Sequence, residues 1–163
     1  MNISAKQLSS RQLPAEVTAA LTESSLDPAA LTLEITESLL LDSQVVIGSL
    51  EELRALGVRI AIDDFGTGYS SLNYLRRFPV DTLKIAKAFI DELSSSSEQE
   101  RLVAAIVRLG ATLGLETVAE GIEDQSQLDR LRALKCRFGQ GFFFSRPVPA
   151  DELDPVLLRA RVA

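Results

Sequence analysis

The stretch RIAIDDFGTGYSSL, residues 59–72, places two adjacent carboxylates, Asp63 and Asp64, directly after a run of branched apolar residues and just before two glycines. A short apolar run that ends at turn-forming residues is typical of a buried strand. Two neighbouring acids repel each other unless a cation or a proton lies between them. The stretch therefore predicts a buried strand that brings two acids to the surface, where something must balance their charge.

Similar β-rich segments recur along the chain and are separated by segments with helical periodicity. The predicted strands are LTLEIT (31–36), VRIAID (58–63), DTLKIA (81–86), ETVAE (116–120) and CRFGQGFFF (136–144). The predicted helices are PAEVTAALTES (14–24), SQVVIGSLEELRALG (43–57), SSLNYLRRF (70–78), SEQERLVAAIVRLGATL (97–113), DQSQLDRLRAL (124–134) and ADELDPVLLRA (150–160). Alternating strands and helices predict an α/β fold with a parallel sheet, in a single domain over residues 1–163.

The composition excludes several kinds of chemistry. The chain has no histidine, which removes Ser-His-Asp catalysis, Cys-His catalysis and His-ligated zinc. The remaining carboxylates, amides and hydroxyls are hard oxygen ligands that suit Mg²⁺ or Mn²⁺. A net charge of −6 argues against binding a nucleic-acid polymer, although a small anionic ligand fits if a metal offsets the charge. A single cysteine, no signal peptide and no apolar run of membrane-spanning length predict a cytoplasmic protein.

Alternation within the predicted strands separates apolar from polar side chains. In LTLEIT, Leu33 and Ile35 face the helices, and Glu34 faces the other side of the sheet. Parallel strands bring their carboxyl ends to one edge, where active sites of α/β folds lie. The polar residues predicted near that edge are Glu34, Asp63, Asp64, Lys84, Glu120 and Gln140. The two aspartates are therefore predicted to face a metal site shared with neighbouring strands.

Each of these residues also has an ordinary structural interpretation. Glu34 could be a helix cap or a salt-bridge partner, and the two aspartates could cap the helix that starts near residue 70. Lys84 could serve only to neutralise the acids. Gln140 and the aromatic run at 142–144 could be ordinary strand and core residues.

The chain resembles a known family at several of these positions. The matching stretches are NIS (2–4), LEITES (33–38), DDFGTGYSSL (63–72), FPVDTLKI (78–85), ETVAEGIE (116–123) and QGFFFSRPVP (140–149). In this order and spacing they resemble the EAL domains, which are bacterial cyclic di-GMP phosphodiesterases acting in second-messenger signalling and biofilm control.

The resemblance implies a TIM-like (β/α) barrel and a two-metal site for Mg²⁺ or Mn²⁺ that opens cyclic di-GMP to linear pGpG. It implies that Asn2, Glu34 and Asp63 bind one cation and that Asp63, Asp64 and Glu120 serve the second. It further implies that Lys84 and Gln140 position the water or the ligand, that Glu37 steadies the DDFGTGYSSL loop and that Glu123 is a supporting acid. The chemistry makes Glu120 the best candidate for the base and Lys84 for holding negative charge.

The sequence departs from the family pattern at three places. No Glu-Ala-Leu tripeptide, whose Glu is a metal ligand in the family, occurs in these 163 residues. Ala86 stands where the family usually has Asp, and Lys-Cys-Arg at 135–137 replaces a commoner Gly-Cys-Asp. A complete barrel needs at least about 200 residues, so we expect an N-terminally truncated barrel of about six β/α units.

These departures lead to two hypotheses about function. One is a phosphodiesterase weakened in this form, and the alternative is a non-catalytic module that binds cyclic di-GMP or a protein. An incomplete barrel also predicts self-association, and the resemblance implies upstream sensor or GGDEF domains in a full-length protein.

Overall fold

A computed structural model describes residues 1–41, 43–68, 75, 77–93 and 97–154 of the chain. The strands are β1 (Thr32–Thr36), β2 (Arg59–Phe65), β3 (Thr82–Ile85), β4 (Glu116–Ala119) and β5 (Phe138–Gly139). The α-helices are α1 (Ala5–Leu8), α2 (Leu13–Ser24), α3 (Ser43–Ala55), α4 (Lys87–Asp91), α5 (Ser97–Leu113) and α6 (Gln125–Ala133). Short 3₁₀ turns lie at Pro28–Ala30, Glu37–Leu41 and Ala150–Glu152.

The five strands form one parallel sheet whose order follows the sequence, from β1 to β5. The N-terminal segment extends this sheet beyond β1, because Asn2 forms a parallel bridge with Glu34. The Ile3 N–H donates to the Glu34 carbonyl at 2.8 Å, and the Glu34 N–H donates to the Met1 carbonyl at 2.8 Å. Parallel strands that are neighbours in both sequence and space are the arrangement of a (β/α) barrel. The structure thus confirms the α/β fold with a parallel sheet expected from the sequence.

The two faces of the sheet differ as the alternation predicts. One face carries branched apolar side chains that are almost fully buried with the helices in the core: Leu33, Ile35, Ile60, Ile62, Leu83 and Ile85. The opposite, inner face carries polar side chains and lines an open cavity of about 330 Å³. The sheet therefore presents its chemistry on the inner face and its core on the outer face.

Several helix boundaries also follow the sequence. The Asp124 side chain caps α6 by accepting from the Gln127 N–H. In return, the Gln127 side-chain oxygen accepts from the Asp124 N–H. Gly57 and Gly114 follow the ends of α3 and α5 with φ of 94° and 71°, a conformation that glycine adopts without strain.

The predicted last strand is wrong in length, since β5 contains only Phe138 and Gly139. Gly141 explains its early end. A Cβ on Gly141 would lie 2.1 Å from the Ile122 carbonyl oxygen, so the chain passes directly against the backbone of the β4–α6 connection. The Ile122 carbonyl then accepts from the Phe143 N–H at 2.9 Å, and the segment turns instead of continuing as a strand.

The aromatic run that follows is not core. Phe142, Phe143 and Phe144 are 52%, 37% and 53% exposed, which overturns their interpretation as buried residues. Two predicted helices fall partly outside the described residues: most of SSLNYLRRF, and residues 155–160 of ADELDPVLLRA. Across the ranges that the structure describes, no helix has both the length and the hydrophobicity of a membrane span.

Candidate functional site

The centre of the site is the ammonium group of Lys84 on β3. Its Nζ lies 3.0 Å from Glu34 Oε2 on β1, 3.0 Å from Asp63 Oδ1 on β2 and 2.7 Å from Glu120 Oε1 just after β4. Only 7% of the Lys84 side chain is exposed, and the acids are 15–22% exposed. Side chains from four segments of the sheet thus converge on one cation at the inner face.

This environment shifts the pKa values of two of the groups. Burial acts to lower the pKa of Lys84, but its hydrogen bonds to Glu120, Glu34 and Asp63 outweigh burial and raise it well above its ordinary value. Burial raises the pKa of Glu120, and the nearby Asp63 adds to the rise, whereas Lys84 opposes it. Lys84 is therefore charged, and Glu120 is a stronger base than an exposed glutamate.

The two adjacent aspartates lie where β2 becomes irregular. The pairing of β2 with β3 shifts register between Ile62 and Phe65, and Asp64 has a left-handed φ of 53°. A bulge of this kind redirects side chains near a strand end. Asp63 consequently faces Lys84, whereas Asp64 is exposed, and its carbonyl oxygen accepts from the Thr67 hydroxyl at 2.8 Å.

Glu37 binds the loop that follows these aspartates. Its Oε2 accepts from the Gly66 N–H at 2.8 Å and from the Gly68 N–H at 3.2 Å, and the side chain is buried. These bonds hold the backbone at Gly66 and Gly68 against Glu37; residues 69–72 of the DDFGTGYSSL loop lie outside the described residues.

Three other predicted residues lie around this centre rather than in it. Asn2 is exposed and reaches the site through its backbone bridge to Glu34. Gln140 lines the inner cavity together with Lys84. Glu123 is exposed and accepts from Lys87 Nζ at 2.8 Å, away from the Lys84 cluster.

The sequence interpretation missed a second ion pair on the inner face. Arg59 at the start of β2 binds Glu116 at the start of β4, at the end of the sheet opposite Asp63. Both residues lie in register with inward positions of neighbouring strands, so the alternation through Arg59, Ala61 and Asp63 was the signal that would have found them.

The donor set fits a hard divalent cation in chemistry and charge. Three carboxylates around one ammonium leave two uncompensated negative charges, and carboxylate oxygens are the preferred ligands of Mg²⁺ and Mn²⁺. The positions of the three carboxylates, however, are those of groups bonded to the Lys84 ammonium. In the part of the chain that the structure describes, no group of three or more Asp, Glu, Cys or His side chains has the geometry to hold a metal ion as it stands.

Comparison with known proteins identifies the family of this chain. The family model for the EAL domain matches residues 1–147. The chain belongs to the EAL domain family. It is 48% identical over 154 residues to the bifunctional diguanylate cyclase/cyclic di-GMP phosphodiesterase MucR of Pseudomonas aeruginosa, covering 94% of this chain and 22% of MucR. The chain thus spans about a fifth of that relative.

Solved EAL structures confirm the TIM-like barrel fold. The MucR phosphodiesterase in complex with c-di-GMP superposes with a TM-score of 0.89 at 48% identity, covering 93% of this chain and 62% of that one. The EAL domain of Mycobacterium smegmatis DcpA gives 0.91 at 37% identity, with 97% and 71% covered. Klebsiella pneumoniae BlrP1, solved with manganese and cyclic di-GMP, gives 0.85 at 32% identity, with 90% and 38% covered. The chain therefore shares the fold of these structures while covering 62% of the MucR chain and 71% of the DcpA chain.

Proposed function

We propose that this EAL domain is a cytoplasmic, metal-dependent cyclic di-GMP phosphodiesterase that yields pGpG, and that the isolated chain works weakly. The observation that supports the proposal best is the convergence on the inner face of Glu34 from β1, Asp63 from β2 and Glu120 from just after β4. The MucR and BlrP1 complexes, which contain cyclic di-GMP, support the choice of substrate.

The protein groups would divide the reaction as follows. Glu120 accepts the proton of the attacking water, for which its raised pKa suits it. Lys84 holds the negative charge that develops on the phosphoryl oxygens. Glu37 keeps the loop after Asp64 in place through Gly66 and Gly68.

Mg²⁺ or Mn²⁺ would be held by Asn2, Glu34, Asp63, Asp64 and Glu120. When bound, such a cation would activate water and offset phosphoryl charge. Gln140 lines the cavity beside Lys84 and would contact the ligand, and Glu123 would be a supporting acid outside the Lys84 cluster.

Weak turnover is proposed because two features work against efficient chemistry. The Glu of the family's Glu-Ala-Leu tripeptide has no counterpart in these 163 residues, and the buried Ala86 near Lys84 contributes no carboxylate. Small errors in the placement of reacting groups cost orders of magnitude in rate.

The test is product analysis after incubation of the chain with cyclic di-GMP, with Mn²⁺ and with a chelator. We expect a slow, Mn²⁺-dependent release of pGpG that Glu120→Gln abolishes and Glu52→Gln, a change on the exposed surface of α3, does not. Turnover on the order of 1 per second or faster would contradict the proposed weakness, and hydrolysis that survives Glu120→Gln would contradict the assigned base.

The second candidate is a non-catalytic module that binds cyclic di-GMP. The occupation of the acid cluster by Lys84 favours it, because this arrangement is charge-balanced in part without a metal. Tight binding of cyclic di-GMP in the presence of chelator, without any pGpG, would select this candidate.

A further inference from the structure

The Lys84 ammonium contacts the carboxylates of Glu34, Asp63 and Glu120 at the same time. Each of its three distances, 3.0, 3.0 and 2.7 Å, is that of a charge-assisted hydrogen bond. An ammonium group has three protons to donate, so the three acids use all of its donors. Within the described residues, the Lys84 ammonium is therefore the cation that the three acids bind.

A divalent cation cannot join these acids without disturbing this arrangement. Metal–oxygen distances near 2.1 Å are shorter than the ammonium contacts, so the carboxylates would have to close in on the metal. Two cationic centres a few ångströms apart in a half-buried site would also repel each other strongly. Lys84 must then give up some of its acid partners for the metal to gain them.

We propose that Lys84 is a built-in counter-ion that exchanges with the divalent cation: its ammonium holds the acid cluster together in the metal-free protein, and it withdraws when Mg²⁺ or Mn²⁺ binds. The inference rests on the proposed metal site. It adds a regulatory property, since metal affinity is set by competition with a side chain of the same chain.

Lys87 provides a matched control on the same protein. It also binds two acids, Asp91 and Glu123, but its side chain is 48% exposed, and the three groups lie outside the Lys84 cluster. A general loss of lysine charge would affect Lys84→Met and Lys87→Met alike, whereas an exchanging counter-ion at the acid cluster would affect only the first.

The main experiment measures Mn²⁺ binding calorimetrically and thermal unfolding in chelator for the wild type and both variants. For Lys84→Met we expect Mn²⁺ binding tighter by about tenfold or more, because a competing charge is gone. We also expect a metal-free melting temperature lower by about 4 °C or more, which Mn²⁺ restores. Lys87→Met should bind Mn²⁺ as the wild type does.

The outcomes separate this inference from the proposed function. Mn²⁺ binding by Lys84→Met that is equal to or weaker than that of the wild type overturns the inference. The inference is also overturned if none of the three proteins binds Mn²⁺. Tighter binding by Lys84→Met together with no hydrolysis of cyclic di-GMP by the wild type supports the inference and contradicts the phosphodiesterase proposal.

A second measurement applies if Lys84→Met does not fold. The chain has four lysines, Lys6, Lys84, Lys87 and Lys135, so side-chain NMR signals of labelled lysine can be resolved. The Lys84 signal is assigned by its loss in Lys84→Arg. Addition of millimolar MgCl₂ to the wild type should shift the Lys84 signal and leave Lys87 in place, and an unmoved Lys84 signal overturns the inference.

Discussion

Burial makes the negative charge of Glu120 costly to the folded protein. Burial raises its pKa, so the folded state keeps a proton at pH values where the unfolded chain has lost it. The stability that this group contributes is full below the ordinary value of 4.5 and is lost as the pH rises through the folded pKa.

The pH dependence of stability should reveal this cost. We expect Glu120→Gln, which cannot ionise, to gain stability relative to the wild type as the pH rises from about 4 to about 7. Urea unfolding in chelator across this range measures the difference, with Glu52→Gln on the exposed surface of α3 as the reference. A difference between Glu120→Gln and wild type that stays constant with pH would show that Glu120 titrates normally.

Asp63 tests whether a metal binds the acid cluster at all. Saturating Mn²⁺ should raise the melting temperature by about 5 °C or more, because binding stabilises only the folded state. Asp63→Asn should abolish most of that gain, since it removes a charged oxygen from the centre of the cluster. Glu116→Gln, at the opposite end of the inner face, should keep the gain. Equal gains in wild type and Asp63→Asn would place the metal elsewhere.

At the scale of secondary structure, local patterns predicted most of the elements. The alternation of Leu33, Glu34 and Ile35 fixed the two faces of β1, and Asp124 marked the start of α6. The length of β5 was not predictable, because it depends on Gly141 meeting Ile122, a contact between elements that no local pattern encodes.

Local patterns predicted the side chains of the site but not their mutual contacts. Alternation placed Glu34, Asp63, Lys84 and Glu120 on one face. It could not show that Lys84 reaches all three acids at once, because that depends on the lateral stagger of four segments and on the bulge at Asp64. A left-handed aspartate carries no clear signal in the sequence, since aspartate is common in many other conformations.

Alanine substitutions at two glycines test the contact that ends β5: Gly141 lies at the contact, and Gly48 in α3 is the comparison. Gly141→Ala should destabilise the protein by about 2 kcal/mol or more, since its Cβ would meet backbone atoms of Ile122 that cannot move aside. Gly48→Ala, in α3 with nothing within 4 Å of the added Cβ, should stabilise by about 0.5–1 kcal/mol. Urea unfolding measures both, and a neutral Gly141→Ala would show that the β4–α6 connection adapts easily.

At the scale of the whole molecule, the sheet that the described residues form has two outer members. The Asn2 segment and β5 are its outer members in the described residues, and β5 is followed by the exposed Phe142 and Phe144. Unpaired sheet edges beside apolar side chains promote pairing between chains.

We therefore expect the isolated chain to self-associate at micromolar concentration. Light scattering across a dilution series measures the mass, and replacing both Phe142 and Phe144 by Ser should shift the equilibrium towards monomer. The exposed Leu102 on α5, replaced by Ser, is the control and should leave the mass unchanged. A monodisperse wild-type monomer with a cooperative melt would mean that the open edges are harmless.

The order of the sheet also bears on how the chain opens and folds. Among the described residues, each strand pairs with its neighbours in sequence, so the sheet can form by successive addition of units and can lose its outer members without breaking its centre. Amide hydrogens of β2 and β3 should exchange with solvent most slowly, because these strands lie in the middle of the sheet and neither pairs with the two-residue β5. Those of Ile3 and of β5 should exchange fastest among the sheet residues. Glu34 and Glu120 would then lose their neighbours before Asp63 and Lys84, which lie on the two most protected strands.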